Sequence, residues 1–154
     1  MVSIDWCLKQ EKGLRKITPN ENMSKSYIKM AEESITALNK VGESRIWTAT
    51  AAYYVFYYSL YSLMLRLGFK CEIHSCSLEF MKSCLREFYD SADVEMMGKA
   101  FLARISLQYY ADRPVDEKII EEVRKYCKDF YVKTKDILAK ITENQINLIR
   151  EKIK

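Results

Sequence analysis

The chain has one histidine, two prolines and four glycines among 154 residues, and apolar and polar residues never alternate over a useful length. Alternation with a period of two is typical of half-buried strands, so its absence argues against a β-sheet protein. The few prolines and glycines separate long segments in which apolar residues recur every three or four positions, the spacing of amphipathic helices. The sequence therefore predicts an all-α protein.

The single histidine also limits metal binding. Cys71, His74 and Cys76 come closest to a ligand cluster, but a structural zinc site uses four ligands, and the chain has no second close pair of cysteines. We predict no metal and no other cofactor. The five cysteines are odd in number and lack the spacing of a disulfide framework, so free thiols are expected.

Targeting and membrane signals are also lacking. No basic N-terminal segment leads into an apolar core, so a signal peptide is not expected and we predict a cytoplasmic protein. The most apolar segment, residues 51–67, carries five tyrosines and is shorter than the ~20 apolar residues that a bilayer requires. A net charge of +4 permits contact with nucleic acid but does not argue for it.

That apolar segment is the most informative part of the sequence. It belongs to a predicted central helix from about Ser44 to Leu67, which Gly68 ends in the left-handed conformation. Its apolar side chains point in every direction at 100° per residue, as in a helix surrounded by protein. A single bundle of this size would not easily cover every side of such a helix. This pattern favours an interface between two copies of the chain.

The remaining segments predict a single domain over residues 1–154, an antiparallel bundle of four to five helices with short connections. Residues 1–20 form an N-terminal arm, either a short helix or an ordered extension, and residues 144–154 either extend the last helix or fray. The other predicted helices are one capped by Asn22 or Ser24 and stopped by Gly42, one that begins at His74, one from Ser91 to Ala111, and one from a cap at Asp116 to Ile141.

Several motifs resemble the signature of HEPN domains (higher eukaryotes and prokaryotes nucleotide-binding), in particular the small stand-alone prokaryotic branch. The resemblance covers about Ser24 to Ile141. It is carried by A-Y-Y-V-F-Y-Y at Ala52–Tyr58, L-M-L at Leu63–Leu65, Gly68, the pair His74-Ser75, and Arg104 followed by Tyr109, Tyr110, Ala111 and Asp112. The resemblance implies a homodimer whose interface uses the central and fourth helices.

The resemblance also implies a function. Stand-alone HEPN proteins of this branch pair with a minimal nucleotidyltransferase, as toxin or substrate-binding subunit in toxin–antitoxin systems. The leading hypothesis is therefore a non-catalytic module that binds a nucleotide or RNA, with a minimal nucleotidyltransferase as its partner. The candidate ligand-binding residues are Arg104, Tyr109, Tyr110, Asp112, His74, Tyr54 and Tyr58.

Two departures from the family pattern bear on catalysis. Tyr58 stands where the family has a histidine, and Gln108 stands where it has an aspartate. Ribonucleases of the superfamily carry an arginine four to six residues before a histidine, whereas no histidine follows Arg104. Because tyrosine, with a reference pKa of about 10, is a poor base near neutral pH, these departures favour a non-catalytic protein.

The sequence also fits two alternative functions. An active ribonuclease would use an altered motif of Arg104, Tyr109 and His74, and a third alternative is a purely structural dimeric scaffold. In the structural interpretation Arg104 pairs with Asp112, Glu95 or a carboxylate of a second copy, because a partly buried arginine is usually paired. His74 is then a capping or turn residue, and the tyrosines pack in the core.

Overall fold

The computed structural model describes residues 2–154. These residues form seven helices and one pair of two-residue strands, so the predicted all-α helical bundle is confirmed. The strands, β1 (Arg15–Lys16) and β2 (Phe69–Lys70), pair antiparallel. The helices are α1 (Ile4–Lys9), α2 (Glu21–Leu38), α3 (Arg45–Leu67), α4 (His74–Cys84), α5 (Ser91–Tyr109), α6 (Glu117–Lys140) and α7 (Glu143–Glu151).

Helix α3 is the centre of the bundle and packs against α2, α5 and α6. Helices α2 and α3 run antiparallel, because Ser24 near the start of α2 bonds Ser62 near the end of α3 at 2.9 Å. Helices α5 and α6 also run antiparallel: Asp93 pairs with Lys133, and Lys99, later in α5, pairs with Glu122, earlier in α6. Most residues of α3 are buried within the single chain. The apolar character of α3 therefore does not by itself require a second copy, and the homodimer stays a prediction.

The ends of the helices follow local chemistry. The Ser44 hydroxyl accepts from the Trp47 amide at the start of α3, and Gly68 ends α3 with φ at 80°, as predicted. Asp116 caps α6, also as predicted, but the cap of α2 is Asn20 rather than Asn22 or Ser24. Ser24 cannot serve as that cap because its hydroxyl is buried against Ser62.

Several predicted boundaries need correction. Helix α2 ends at Leu38, and Gly42, at φ 62°, lies in the connection to α3. Helix α5 ends at Tyr109 rather than Ala111. Residues 144–154 neither continue α6 nor fray, because Thr142 starts a separate helix, α7, with a capping box in which Gln145 is the reciprocal partner.

Arg150 of α7 joins three distant backbone carbonyls. Its Nη1 donates to the carbonyl oxygens of Ile17, Leu67 and Gly68 at 2.9, 3.0 and 2.8 Å. A Cβ at Gly68 would lie 2.0 Å from that nitrogen, so this close approach requires glycine in addition to the positive φ. Arg150 thus fixes the N-terminal arm and the end of α3 to α7.

The expectation of free thiols was wrong for two of the five cysteines. Cys7 of α1 and Cys76 of α4 form a disulfide with a Cα–Cα distance of 5.7 Å. The two residues are 69 positions apart in sequence, so local spacing could not indicate the pairing. Cys71, Cys84 and Cys127 are free and buried.

Residues 2–154 contain neither a membrane-spanning helix nor a cluster of metal ligands. No helix there has the length and apolarity to cross a bilayer. No group of three or more histidine, cysteine, aspartate or glutamate side chains there is placed to hold a metal ion.

Candidate functional site

The tyrosines of α3 that follow Ala52 lie on the side of the helix that faces α2, α4 and α5. Their rings contact one another along the helix: Tyr54 and Tyr58 have centroids 5.1 Å apart, and Tyr57 stacks on Tyr61 at 5.6 Å. Tyr53 and Tyr57 are buried, whereas Tyr54 and Tyr58 are half-buried. This i, i+3, i+4 spacing brings several aromatic rings to one surface.

His74 reaches these rings from the first residue of α4. The left-handed turn at Gly68 reverses the chain after α3, and β2 and a short loop return it alongside α3. The His74 ring then stacks on Tyr57, with centroids 4.1 Å apart and planes 8° apart, and its Nδ1 shares a 2.6 Å hydrogen bond with the Tyr53 hydroxyl. His74 is thus held by two rings of the central helix.

Arg104 of α5 also lies against Tyr53 and extends the contacts to Tyr54. Its guanidinium carbon lies 5.0 Å from the Tyr53 centroid and 5.2 Å from the Tyr54 centroid, a cation–π arrangement. Its Nε donates to Gln108 Oε1 at 3.1 Å, one helical turn away. Among the ion pairs of residues 2–154, none joins Arg104 to a carboxylate, and Glu95 pairs with Lys99 instead. Of the partners that the structural interpretation allows, Asp112 and Glu95 are therefore wrong, and a carboxylate of a second copy is not tested.

We call Tyr53, Tyr54, Tyr57, Tyr58, His74 and Arg104 the tyrosine–arginine cluster. Tyr53 and Tyr57 were missing from the sequence-based candidates, although their i, i+4 spacing within the A-Y-Y-V-F-Y-Y run is the signal that could have identified them. Gln108, which orients Arg104, was noted only as a departure from the family pattern.

The other three candidates lie elsewhere. Tyr109, 67% exposed, and Tyr110, 41% exposed, stand at the end of α5, and Asp112 follows in the connection to α6. Tyr110 carries the guanidinium of Arg113 at 3.4 Å from its ring centroid. Within residues 2–154, the contacts of these side chains include none with Arg104 or His74. The structure thus divides the seven candidates into a group of four in the cluster and a group of three at the end of α5.

Electrostatics set the protonation states in the cluster. Burial and, as a smaller cause, the positive charge of Arg104 together lower the pKa of His74 to about 4, so the imidazole is neutral at pH 7. Burial also raises the pKa of Tyr53 and of Tyr57 above their ordinary value. At neutral pH Arg104 is therefore the charged member of the cluster.

This combination suits binding better than proton transfer. An efficient general base has a pKa near the operating pH, which neither a histidine with a pKa of about 4 nor a buried tyrosine provides. Aromatic faces stack on planar rings, and a guanidinium with free N–H groups binds phosphate. The cluster can therefore supply a stacking surface and a cation side by side.

Comparisons with known proteins give no independent identification: no protein-family model matches the chain, and no curated protein matches it significantly. The resemblance to HEPN domains consequently stays a prediction made from the sequence motifs.

Proposed function

We propose that the chain is a non-catalytic module that binds a nucleotide or RNA at the tyrosine–arginine cluster. One observation carries the proposal: the half-buried guanidinium of Arg104 rests on two tyrosine rings and has no carboxylate partner among residues 2–154. A partly buried arginine is usually paired, so a phosphate group would supply the missing anion. The Nε of Arg104 donates to Gln108 and the guanidinium also donates to the Tyr53 hydroxyl, so some of its five N–H donors stay available for such a ligand.

The partner proposal rests on the family resemblance. We propose that the module acts with a minimal nucleotidyltransferase, to which it presents a bound nucleotide, an RNA or one of its own tyrosines. The exposed Tyr109 and Tyr110 are the tyrosines best placed for such an exchange, because both lie outside the packed cluster. Co-expression with a small nucleotidyltransferase encoded beside this chain, followed by co-purification, tests the association. Recovery of the two proteins in separate fractions would count against it.

The binding proposal is tested with Arg104→Ala. We expect this variant to bind AMP or a short labelled single-stranded RNA about 5- to 150-fold more weakly than the unmodified protein, as for a lost charge-assisted contact of about 1–3 kcal/mol. Arg113→Ala is the matched control, since it removes the same charge and a comparable cation–π contact, on Tyr110, outside the cluster. Calorimetry measures AMP binding, and fluorescence anisotropy at several salt concentrations measures RNA binding.

Equal losses in the two variants would indicate non-specific attraction of a polyanion and would contradict the proposal. Unaltered binding by Arg104→Ala would also contradict it. If Arg104→Ala unfolds while Arg113→Ala does not, Arg104 has a structural role, and this result would support the interpretation of the protein as a structural dimeric scaffold.

An active ribonuclease is the second candidate function, and one observation favours it. The fold brings His74 and Arg104 against the same Tyr53 ring, although no arginine precedes a histidine at the usual interval in the sequence. Incubation of purified protein with RNA decides between the candidates. RNA cleavage by the unmodified protein that is lost in both Arg104→Ala and His74→Gln would identify a ribonuclease and would contradict the proposal of a non-catalytic binding module.

A further inference from the structure

A free thiol lies next to the disulfide that joins α1 to α4. Cys71 is completely buried in the loop between β2 and α4, and its Sγ donates to the Ile73 carbonyl oxygen at 3.2 Å. The same oxygen accepts from the backbone amide of Cys76 at 3.0 Å. The Cys71 thiol and the backbone of Cys76, which forms the disulfide with Cys7, therefore meet at one oxygen atom.

The other two free thiols are placed differently. Cys84 is eight residues after Cys76 on α4, or about 12 Å along the helix axis. Cys127 belongs to α6, which packs against α3 and α5, and its thiol donates to the Arg124 carbonyl of the same helix. Cys71 is therefore the free thiol best placed to react with the disulfide.

The start of α4 lacks a feature that the other helices have. The N-cap residue of α4 is Ile73, whose side chain makes no capping hydrogen bond. The other six helices of residues 2–154 each begin with a capping side chain. A helix start without such a cap leaves backbone N–H groups unsatisfied and frays more easily. Fraying of the first turn of α4 would free the Cys76 backbone and let its sulfur approach Cys71.

We propose that Cys71 exchanges with the disulfide, so that the bond moves from Cys7–Cys76 to Cys71–Cys76. The Cys71 thiolate attacks Sγ of Cys76, the Cys7–Cys76 bond breaks, and Cys7 leaves as a thiolate that takes up the proton lost by Cys71. One disulfide and one thiol are present before and after the reaction, so it needs no external oxidant or reductant. Burial raises the pKa of the Cys71 thiol, which keeps the exchange slow near neutral pH.

The exchange would detach α1. Cys7 is the only buried residue of this helix, whereas Trp6 beside it is 43% exposed. Helix α1 packs against α4, the helix to which the disulfide ties it. Without that bond α1 keeps only partly buried contacts, so we expect it to separate from α4.

The exchange would also move His74. Cys71 and Cys76 lie on either side of His74 in the sequence, so a bond between them closes a six-residue loop that contains the histidine. In the structure His74 is the first residue of α4, and its ring stacks on Tyr57. Because the first turn of α4 must open before the new bond forms, the imidazole would leave Tyr57. The disulfide would thus act as a covalent switch of the tyrosine–arginine cluster, independent of any ligand.

The unmodified protein reports the exchange directly. It is incubated without reductant under argon at pH 7, 8 and 9 with iodoacetamide, which captures the Cys7 thiol as it is released. Pepsin digestion at acidic pH, where disulfides do not exchange, and mass spectrometry then map the products. We expect alkylated Cys7 together with a Cys71–Cys76 disulfide. The rate should rise about tenfold per pH unit, because the thiolate is the nucleophile, and should not depend on protein concentration.

Three results of this experiment would overturn the proposal. The first is alkylated Cys71 with the Cys7–Cys76 bond intact, and the second is no reaction at pH 9 within a day. The third is a Cys7–Cys71 disulfide, which would mean that Cys76 is not the sulfur attacked.

Two variants identify the nucleophile. Cys71→Ser removes it, and Cys84→Ser, which removes another buried free thiol, is the matched control. We expect no alkylated Cys7 in Cys71→Ser and an unchanged rate in Cys84→Ser. Alkylation of Cys7 that persists in Cys71→Ser would contradict the proposal, whether or not that variant is destabilised.

The alkylated product tests the two structural consequences. Amides of α1 should exchange with deuterium at least about tenfold faster than in the starting protein, while those of α7, another short helix near a chain end, stay unchanged. Equal acceleration in both helices, or none in α1, would contradict the release of α1. The NMR resonances of His74, the single histidine, should also shift, and unshifted resonances would contradict the switch.

Discussion

Helix α3 carries two aromatic clusters on different sides, and they differ in how their polar groups are satisfied. The tyrosine–arginine cluster faces α2, α4 and α5. The second, which we call the closed cluster, consists of Phe56 of α3 with Tyr89, Tyr126 and Phe130 and lies toward α6. Tyr89 stacks on Phe130 at 4.8 Å, and Phe56 lies 5.0 Å from Phe130.

Every hydroxyl of the closed cluster has a partner. Tyr89 and Thr134 share a 2.7 Å hydrogen bond, and the Tyr126 hydroxyl donates to the buried carboxylate of Asp93 at 3.0 Å. Lys133 donates to the same carboxylate at 2.6 Å. In the tyrosine–arginine cluster, by contrast, Arg104 has no carboxylate partner among residues 2–154, and the neighbouring Thr50 hydroxyl is unpaired.

The comparison separates packing from binding. Aromatic residues at helical spacing occur in both clusters, so spacing alone does not distinguish them. What differs is the satisfaction of the polar groups, because half-buried rings occur in both clusters, at Tyr54 and Tyr58 in one and at Tyr126 in the other. The closed cluster is accordingly a structural core, and the tyrosine–arginine cluster is the candidate recognition surface.

The largest effect is expected from Phe130→Ala in the closed cluster. Phe130 is completely buried between Phe56 and Tyr89, so the change should lower the free energy of unfolding by about 3–5 kcal/mol, measured by urea denaturation. Tyr58→Ala, a half-exposed counterpart in the tyrosine–arginine cluster, should lower it markedly less. Equal losses of unfolding free energy in the two variants would contradict the conclusion that the closed cluster is the structural core and the tyrosine–arginine cluster is not.

An intermediate effect is expected when the disulfide is removed. The double variant Cys7→Ser and Cys76→Ser should lose about 2–4 kcal/mol of unfolding free energy, because the bond closes a long loop in the unfolded chain. Cys84→Ser, in the same helix as Cys76 but outside the disulfide, is the control for loss of a buried sulfur.

The double variant also sharpens the comparison of clusters. Cys76 lies in the first turn of α4, two residues after His74. Loss of the disulfide at Cys76 should therefore shift the NMR resonances of the His74 ring more than those of Phe130. Equal shifts at both residues would indicate a global change rather than one at the tyrosine–arginine cluster.

The smallest effect is expected from the titration of His74. Its pKa in the folded protein is about 4, whereas an unfolded histidine titrates near 6.5, so the unfolded state takes up the proton first as the pH falls. Stability should therefore be undiminished above pH 6.5 and fall by about 1–3 kcal/mol as the pH drops from 6.5 to about 4, less than a full conversion of the shift because the ring is only half-buried.

The difference in unfolding free energy between the unmodified protein and His74→Gln isolates this contribution from that of the carboxylates. A difference that does not change between pH 7 and pH 4 would mean that the imidazole is not kept neutral by its surroundings.

Sequence reasoning was successful where the cause is local. The helical segments, the left-handed Gly68 and the Asp116 cap follow from residues close in the chain, and each was predicted. The disulfide between Cys7 and Cys76, the pairing of β1 with β2 and the role of Arg150 join residues far apart, and no periodicity indicates them.

At the candidate site, too, sequence reasoning does not predict contacts between distant residues. Tyr109 and Arg104 lie five residues apart on α5. That spacing does not predict which other helices surround each side chain. The structure places Arg104 on the rings of α3 and leaves Tyr109 exposed at the helix end. Which polar groups find partners, the feature that distinguishes the two clusters, depends on the packing of α3, α4 and α5 and is not visible in a list of residues.

Arg150 has a consequence for the order in which the chain folds as it is synthesised. Its partner carbonyl at Ile17 lies 133 residues earlier, and those of Leu67 and Gly68 lie 83 and 82 residues earlier. While a ribosome still holds α7, these three carbonyls can be hydrated but cannot meet the guanidinium, although α2 and α3 are already free to pair. The end of the bundle that supports the loop leading to His74 therefore closes only after α7 has emerged, and until then these carbonyls stay open to solvent.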